Sequence, residues 1–346
     1  MNKLVTHPPA PAGVDVSQET LDVAARDHRG TDRTAQFANT ATGHRQLIRW
    51  LTKGGQSARV VLEATGVYSL DVALALHAAP RLEVMVVNPR AARQFAQACL
   101  QRSSTDATMA VALREYAARM EFVPWGPPPE SVRHLRAIAR RIVTLTEERA
   151  REQSRAHAAA ASAATPAVVV NDITVNVRHL QRRLAELQRH ALALIQTDPA
   201  LRQAYHHLIS VRGIAATSAI QLLGELLVLP GDMTVRQWVA HSGLDVRHVT
   251  SGTSVHKRPR ISKQGNAHVR RALYMPALVA VRHEPHVRIF YEQLLAAGKK
   301  PLQALVAVMR KLLHAIYGML KTNTDFDGSK FRRLPVTAAA AHGGLT

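Results

Sequence analysis

Three carboxylates and one serine in this sequence have the types and settings for phosphate chemistry. Asp15 falls within the alternating stretch AGVDVSQETLDVAARD, Glu63 ends the short apolar run RVVLE, and Asp106 follows Ser104-Thr105 at a helix start. Acids at the ends of adjacent strands converge, which is the geometry a divalent cation needs. Each acid also has an ordinary use: Asp15 ending a strand, Glu63 bonding the next turn, Asp106 as a charge favoured by the helix dipole. Ser251 stands beside Gly252 in a segment that carries Lys257, Arg258, Arg260 and Lys263, followed by the pair Arg270 and Arg271. No Asp or Glu occurs between Asp245 and Glu284, so the positive charge there is uncompensated. Such a surface suits a phosphate backbone. A serine in it is either a hydroxyl that contacts phosphate or a nucleophile aimed at phosphorus.

The rest of the composition narrows the class. A net charge of +20 over 346 residues points to nucleic acid rather than to a small neutral substrate. No long uncharged apolar run occurs. Residues 272–281 are too few to span a bilayer and are bracketed by Arg270, Arg271 and Arg282. The N-terminus lacks an apolar signal core, and the single cysteine, Cys99, excludes an internal disulfide. A cytoplasmic compartment is therefore expected. The 18 histidines follow no metal-binding spacing, so no zinc is expected.

Strands alternating with helices over residues 12–125 predict an α/β layer, with Phe122 and Val123 as its last strand. Residues 1–11, with Pro8, Pro9 and Pro11, are expected to be disordered. WGPPP at 125–129 marks a boundary. A basic helix over 131–155 is a candidate RNA surface. After an alanine-rich bend, Ile173, Val177, Leu180, Leu184, Leu187, Ala191 and Leu194 recur at 4-3-4-3 spacing, the seam of a coiled coil or of a helical hairpin within one chain. This helical insert occupies residues 130–197. Residues 198–324 read as nearly all helix, with a glycine turn at Gly213 beside Arg212 that resembles a helix-hairpin-helix phosphate contact. Residues 325–346 are expected to be loose.

Taken in order, GVDVSQETLDV, FANTATGHRQLIRWL, LEATGVY, VNPRAARQFAQA, the STD ending at Asp106, SGTSV, RISKQGN, RRALYMPALVA and GKKPLQALVAVMRKLL resemble one family. It is that of insertion-sequence transposases with a RuvC-like DEDD domain and a serine-bearing transposase domain, the RNA-guided bridge recombinases. The resemblance implies an RNase H-like α/β domain, a helical coiled-coil insert and a mainly α C-terminal domain. It implies Mg²⁺, a structured non-coding guide RNA that pairs with target and donor DNA, a homo-oligomer (dimer or tetramer), and no membrane. By motif position, Asp15, Glu63 and Asp106 are the metal-binding acids and Ser251 is the nucleophile. Read from their charge and setting rather than from motif position, Arg212, Lys257, Arg258, Arg260, Lys263, Arg270 and Arg271 are the candidate nucleic-acid contacts, each with a solvated surface charge as its ordinary alternative. The fourth acid of the pattern falls on Met109, whose thioether is a poor Mg²⁺ ligand. A relative that binds nucleic acid without cutting it, and a metal-only nuclease of the Holliday-junction type, are the alternatives.

Overall fold

The computed structural model describes residues 8–64, 66, 68–99, 105–252 and 255–331, with the backbone alone for 251 and 255–258. Its contacts divide the chain into Met1–Pro127 and Pro128–Thr346.

The first unit contains β1 (Ala10–Val16), β2 (Thr20–Arg26), β3 (Asp32–Ala38), α1 (Ala41–Leu51), β4 (Ala58–Glu63), α2 (Tyr68–His77), β5 (Leu82–Val87), α3 (Pro89–Ala98) and α4 (Asp106–Arg119). The strands form one mixed sheet in the order β3-β2-β1-β4-β5. The β1–β2 and β2–β3 pairs are antiparallel, whereas β1–β4 and β4–β5 are parallel. Ala12, Val14, Val60, Leu62 and Val84 bury one face against Leu47, Leu51, Val72 and Leu76. A smaller cluster of Val61, Val87, Ala92, Leu113 and Ala117 lies on the opposite face, under α3 and α4. This is the mixed α/β sheet expected of an RNase H-like domain.

Two expectations fail at the margins of this unit. Pro11 was expected to prevent pairing, yet it sits inside β1. Pairing with β4 begins at Ala10, whereas pairing with β2 begins only at Ala12. Ala10 N–H points to the β4 side, donating to the Ser57 carbonyl. Backbone donors alternate in direction, so the one that proline lacks would point where β2 is not yet paired. Phe122 and Val123 form no strand; Trp125 N–H donates to the Val84 carbonyl, but no ladder follows.

Gly13 fixes the spacing of β1 and α4. A Cβ there would meet the Ala110 carbonyl oxygen and the Arg114 nitrogen, each at 2.3 Å. These are backbone atoms and cannot rotate aside, so Gly13→Ala must push the helix off the sheet. We expect a loss of about 3 kcal/mol or more in urea unfolding of the full chain, as for other overpacked sites.

The second unit contains α5 (Glu130–Ala160), α6 (Ala167–Thr197), α7 (Pro199–Ile209), α8 (Ala216–Leu226), α9 (Val235–Ser242), β6 (Val246–Ser251), β7 (Val255–Ile261), α10 (Ala267–His283), α11 (Pro285–Ala296), α12 (Pro301–Thr322) and α13 (Gly328–Phe331). α5 and α6 pack against each other. Leu180, Leu184, Ala191 and Ile195 are buried in the same core as Leu135, Ile142 and Leu145 of α5, so the seam is covered within one chain. Its last position moves from Leu194 to Ile195, as a straight helix drifts from a seven-residue repeat.

Residues 198–324 are mainly helical as expected, but the sequence reading did not include the hairpin between α9 and α10. β6 and β7 form an antiparallel hairpin with a register shift between Arg247 and Val249. Its strands have no strong apolar alternation because Arg247 and His248 are exposed. The expectation that residues from 325 onward are loose also fails as far as Phe331. Asp325 pairs with His207, and Phe331 is buried beside Phe290 and Phe326, with the Lys311 ammonium over the Phe290 and Phe331 rings. Residues 332–346 lie outside those described.

Candidate active site and nucleic-acid interface

The parallel register that pairs Gly13 with Val61 and Val14 with Leu62 carries Asp15 alongside Glu63, at the C-terminal ends of β1 and β4. Residues two apart in a strand share a face. Asp15 and Glu63 therefore lie on the α4 side of the sheet, with Gly13 and Val61. α4 starts at the same edge. Thr105 caps it reciprocally with Thr108, which places Asp106 as its first residue.

The carboxylates feel one another. Burial first, then the charges of Asp106 and Glu63, push the Asp15 carboxyl up from 3.8 to about 6. A hydrogen bond from the Val16 backbone opposes this, and Asp22 adds a smaller upward push. Glu63 is 8% exposed, and its carboxyl is also raised by burial, against the pull of the Arg93 guanidinium on α3. Among the described residues, no three His, Cys, Asp or Glu side chains close into a single ligand group. Mg²⁺ is usually held by one or two carboxylates and completed by water and phosphate oxygens. The crowded negative charge at Asp15 fits a cation held in that way, and the arrangement does not fit a closed all-protein cage.

Sequence reasoning missed Asp22. It pairs directly across from Asp15 in the β1–β2 register and accepts hydrogen bonds from Gln36 at 3.2 Å. A period-two count around a tight turn after Val16 would have found it. Met109 sits one turn after Asp106, half-buried against the apolar cluster of Val61, Val87 and Leu113. Met109→Asp moves a charge into that packing beside the other acids. Without divalent cation it should cost about 1–3 kcal/mol of stability. With Mg²⁺ added, the variant should gain more in melting temperature than the parent does.

The basic residues divide into two groups. Ser251 is the last residue of β6, paired with Val255, and Gly252 follows at φ +55°, a left-handed conformation that glycine adopts freely. The side chains of Ser251, Lys257 and Arg258 lie outside the described residues. Arg260 and Lys263 are exposed, and Lys263 takes φ +54° in the turn after β7. Arg270 is half-buried and donates to the Ser242 carbonyl at 2.7 Å, so it is turned toward the end of α9. Arg271 pairs with Glu147 of α5. Arg212 is exposed, with its guanidinium 3.4 Å from the His283 carbonyl.

Gly213 has φ +116°, and a Cβ on it would meet the Pro276 carbonyl at 2.7 Å. Its lack of a side chain therefore serves packing on α10. On α5, Arg136 and Arg140 point to Glu225. Elsewhere on α5, Arg141, Arg151 and Arg155 are exposed, so the cationic face expected of residues 131–155 is kept in part, and the exposed Arg178, Arg182 and Arg189 extend it onto α6.

Residues 12–163 match a transposase family model named for IS110 and its DEDD acids, and residues 205–292 match that of the transposase IS116/IS110/IS902 family. This chain belongs to the IS110 family of transposases. Its relatives include the pilin gene-inverting proteins of Moraxella lacunata and Moraxella bovis. Each is 27% identical over 327 residues, covering 91% of this chain and 97% of that protein. The uncharacterized 43.6 kDa protein of insertion element IS110 from Streptomyces coelicolor is 30% identical over 153 residues, 43% of this chain and 35% of that one. In this IS110-family transposase the first match spans all three acids and the second spans the hairpin whose first strand ends on Ser251. It is a DNA transposase, and no described helix is long and apolar enough to cross a membrane.

Proposed function

We propose that this transposase cuts and rejoins DNA through a covalent bond between Ser251 and a DNA phosphate. In this scheme Mg²⁺ is held by Asp15, Glu63 and Asp106, and a structured non-coding RNA selects the target and donor. The observation that carries the reading is the convergence of Asp15 and Glu63 at neighbouring strand ends, with Asp106 close enough to raise the Asp15 carboxyl. An isolated acid cluster repels DNA; with a cation it becomes a phosphate-binding centre. The cation would supply charge stabilisation at the scissile phosphate.

In the first step the Ser251 oxygen bonds to phosphorus and the bond to the leaving deoxyribose oxygen breaks. The serine proton departs to solvent or a base, and the leaving oxygen takes one up. Rejoining is the same exchange with a DNA hydroxyl as the attacker. The phosphodiester is conserved, so no nucleotide triphosphate is consumed. Arg260 and Lys263 are exposed to hold the backbone beside the hairpin. Arg178, Arg182 and Arg189 on α6 suit the phosphates of a guide RNA. Assembly as a dimer or tetramer would bring two DNA partners together.

A weakened relative that binds nucleic acid without cutting it is the second reading, favoured by the apolar packing of Met109 where a fourth acid is expected. Suicide DNA bearing the element's own ends, with RNA transcribed from its flanks, separates these. A protein–DNA adduct that maps to the peptide of Ser251 supports the serine route. Free cut ends without an adduct indicate a metal-only nuclease, and neither product indicates the binding-only relative.

A further inference from the structure

Glu225 lies on α8 with 1% of its surface exposed. A carboxylate is not buried this deeply without partners. Arg140 of α5 holds both of its oxygens, Nε to Oε1 at 2.7 Å and Nη2 to Oε2 at 3.1 Å. Arg136, one turn earlier, brings Nε within 3.4 Å of Oε2. Asn266 Nδ2 donates to the same oxygen at 2.7 Å. These contacts hold the Glu225 carboxyl below its usual range against the opposing effect of burial.

Asn266 is the junction. Its Oδ1 accepts from the His268 and Val269 amides and so starts α10, while its own N–H donates to the His241 carbonyl at 2.6 Å. Gly265 beside it lies flush on α9, since a Cβ there would be 2.2 Å from the His241 oxygen. Ser262 and Lys263 complete the turn. Ser262 N–H donates to the Asp245 carbonyl, its hydroxyl donates to the Asp245 carboxylate at 2.5 Å, and Lys263 N–H donates to the Gly243 carbonyl. Both strands of the hairpin thus leave from a foot tied to α9, α8 and α5. Above the foot, Arg247 and His248 are exposed, and Ser251 is at the far end of β6.

We propose that Glu225 is a positioning residue that clamps the turn at residues 262–266 to the arm helix α5 and so aims the hairpin that carries Ser251. The lever is long. At about 3.3 Å per residue Ser251 stands about 17 Å from Val246, so a tilt of about 4° at the foot moves the tip by about 1 Å. A displacement of that size is enough to cost a reaction about 100-fold. This inference rests on the assignment of Ser251 as the nucleophile, but the clamp itself can be measured without DNA.

The test reverses donor and acceptor. Asn266→Asp keeps the side-chain oxygen that caps α10 but removes the donor to Glu225 and faces it with a second carboxylate. Adding Glu225→Gln returns a donor–acceptor pair of the opposite sense. In the full chain, amide exchange over residues 262–266 should quicken about tenfold or more in Asn266→Asp and return to within about threefold in the double variant. Recombination of a plasmid-borne element with its native flanks, read as the new DNA junction, should fall and recover in parallel. A loss of capping or general stability alone would not be repaired by Glu225→Gln.

Unchanged exchange in Asn266→Asp, or no recovery of exchange in the double variant, overturns the proposal. If Asn266→Asp fails to fold, Arg140→Lys, which keeps the charge but loses the fork, takes its place, with quickened exchange at 262–266 expected and unchanged exchange contradicting the clamp. Should Ser251→Ala recombine normally, the nucleophile assignment fails while the exchange result still decides the role of Glu225.

Discussion

Ser251→Ala is expected to abolish recombination, by at least about 10³-fold, because the substitution removes the attacking oxygen itself. Binding of the same DNA without reaction should change by less than about tenfold, the worth of one hydroxyl hydrogen bond. That separation of binding from chemistry is the signature sought. Ser254, three residues on, provides the internal control. Ser254→Ala should retain junction formation, since the motif position of the nucleophile falls on Ser251. Ser251→Cys tests the chemistry further, because a thiol attacks phosphorus poorly but occupies nearly the same space. It should fold and bind as the parent does and react far more slowly. Junction formation by Ser251→Ala at the parent rate would leave the acids as the whole active centre, the metal-only nuclease.

What could be read in the sequence depended on how far apart the cooperating residues are. Asp15 and Glu63 were legible because each sits in a short patterned strand, and parallel strands align their ends. The turn between β1 and β2 was not. It has no glycine, proline or asparagine; Ser17 closes it by accepting from Thr20 N–H and donating to the Thr20 carbonyl. Without that turn, AGVDVSQETLDVAARD reads as one strand, and Asp22 is not seen to face Asp15. The β6–β7 hairpin was hidden by its exposed cations and the register shift between Arg247 and Val249. Glu225 was invisible for a different reason. Its partners Arg140 and Asn266 are 85 and 41 residues away, beyond any local pattern. The pairing of His207 with Asp325, 118 residues apart, kept the tail's packing out of view in the same way. Local periodicity reports elements, and long-range polar contacts become visible only once those elements are packed.

Asp15→Asn is expected to disable the transposase while making the cation-free protein more stable near neutral pH. Desolvation and the charges of Asp106 and Glu63 raise the Asp15 carboxyl to about 6. A raised carboxyl means that the folded state holds the proton more tightly than the unfolded chain does. Its contribution to stability is therefore complete below the unfolded value near 3.8 and is lost as pH rises through about 6. The full shift corresponds to about 3 kcal/mol at 1.36 kcal/mol per unit, and solvent reaching the half-buried side chain reduces this to about 1–2 kcal/mol. In chelator, calorimetric melting curves of parent and Asp15→Asn should diverge between about pH 4 and pH 6. At pH 7.5 the variant should melt about 3–6 °C higher, by the usual scaling for a unit of this size. A divalent cation supplies the missing charge in place of the proton. Mg²⁺ should therefore stabilise the parent more at pH 7.5 than at pH 5, and should barely stabilise Asp15→Asn. Junction formation by the variant should fall by about 100-fold or more, as expected when a carboxylate that holds a catalytic cation is removed. A parent melting curve indifferent to Mg²⁺ at pH 7.5, with Asp15→Asn fully active, would remove Asp15 from the active centre and leave its raised carboxyl as a cost of packing α4 on β1.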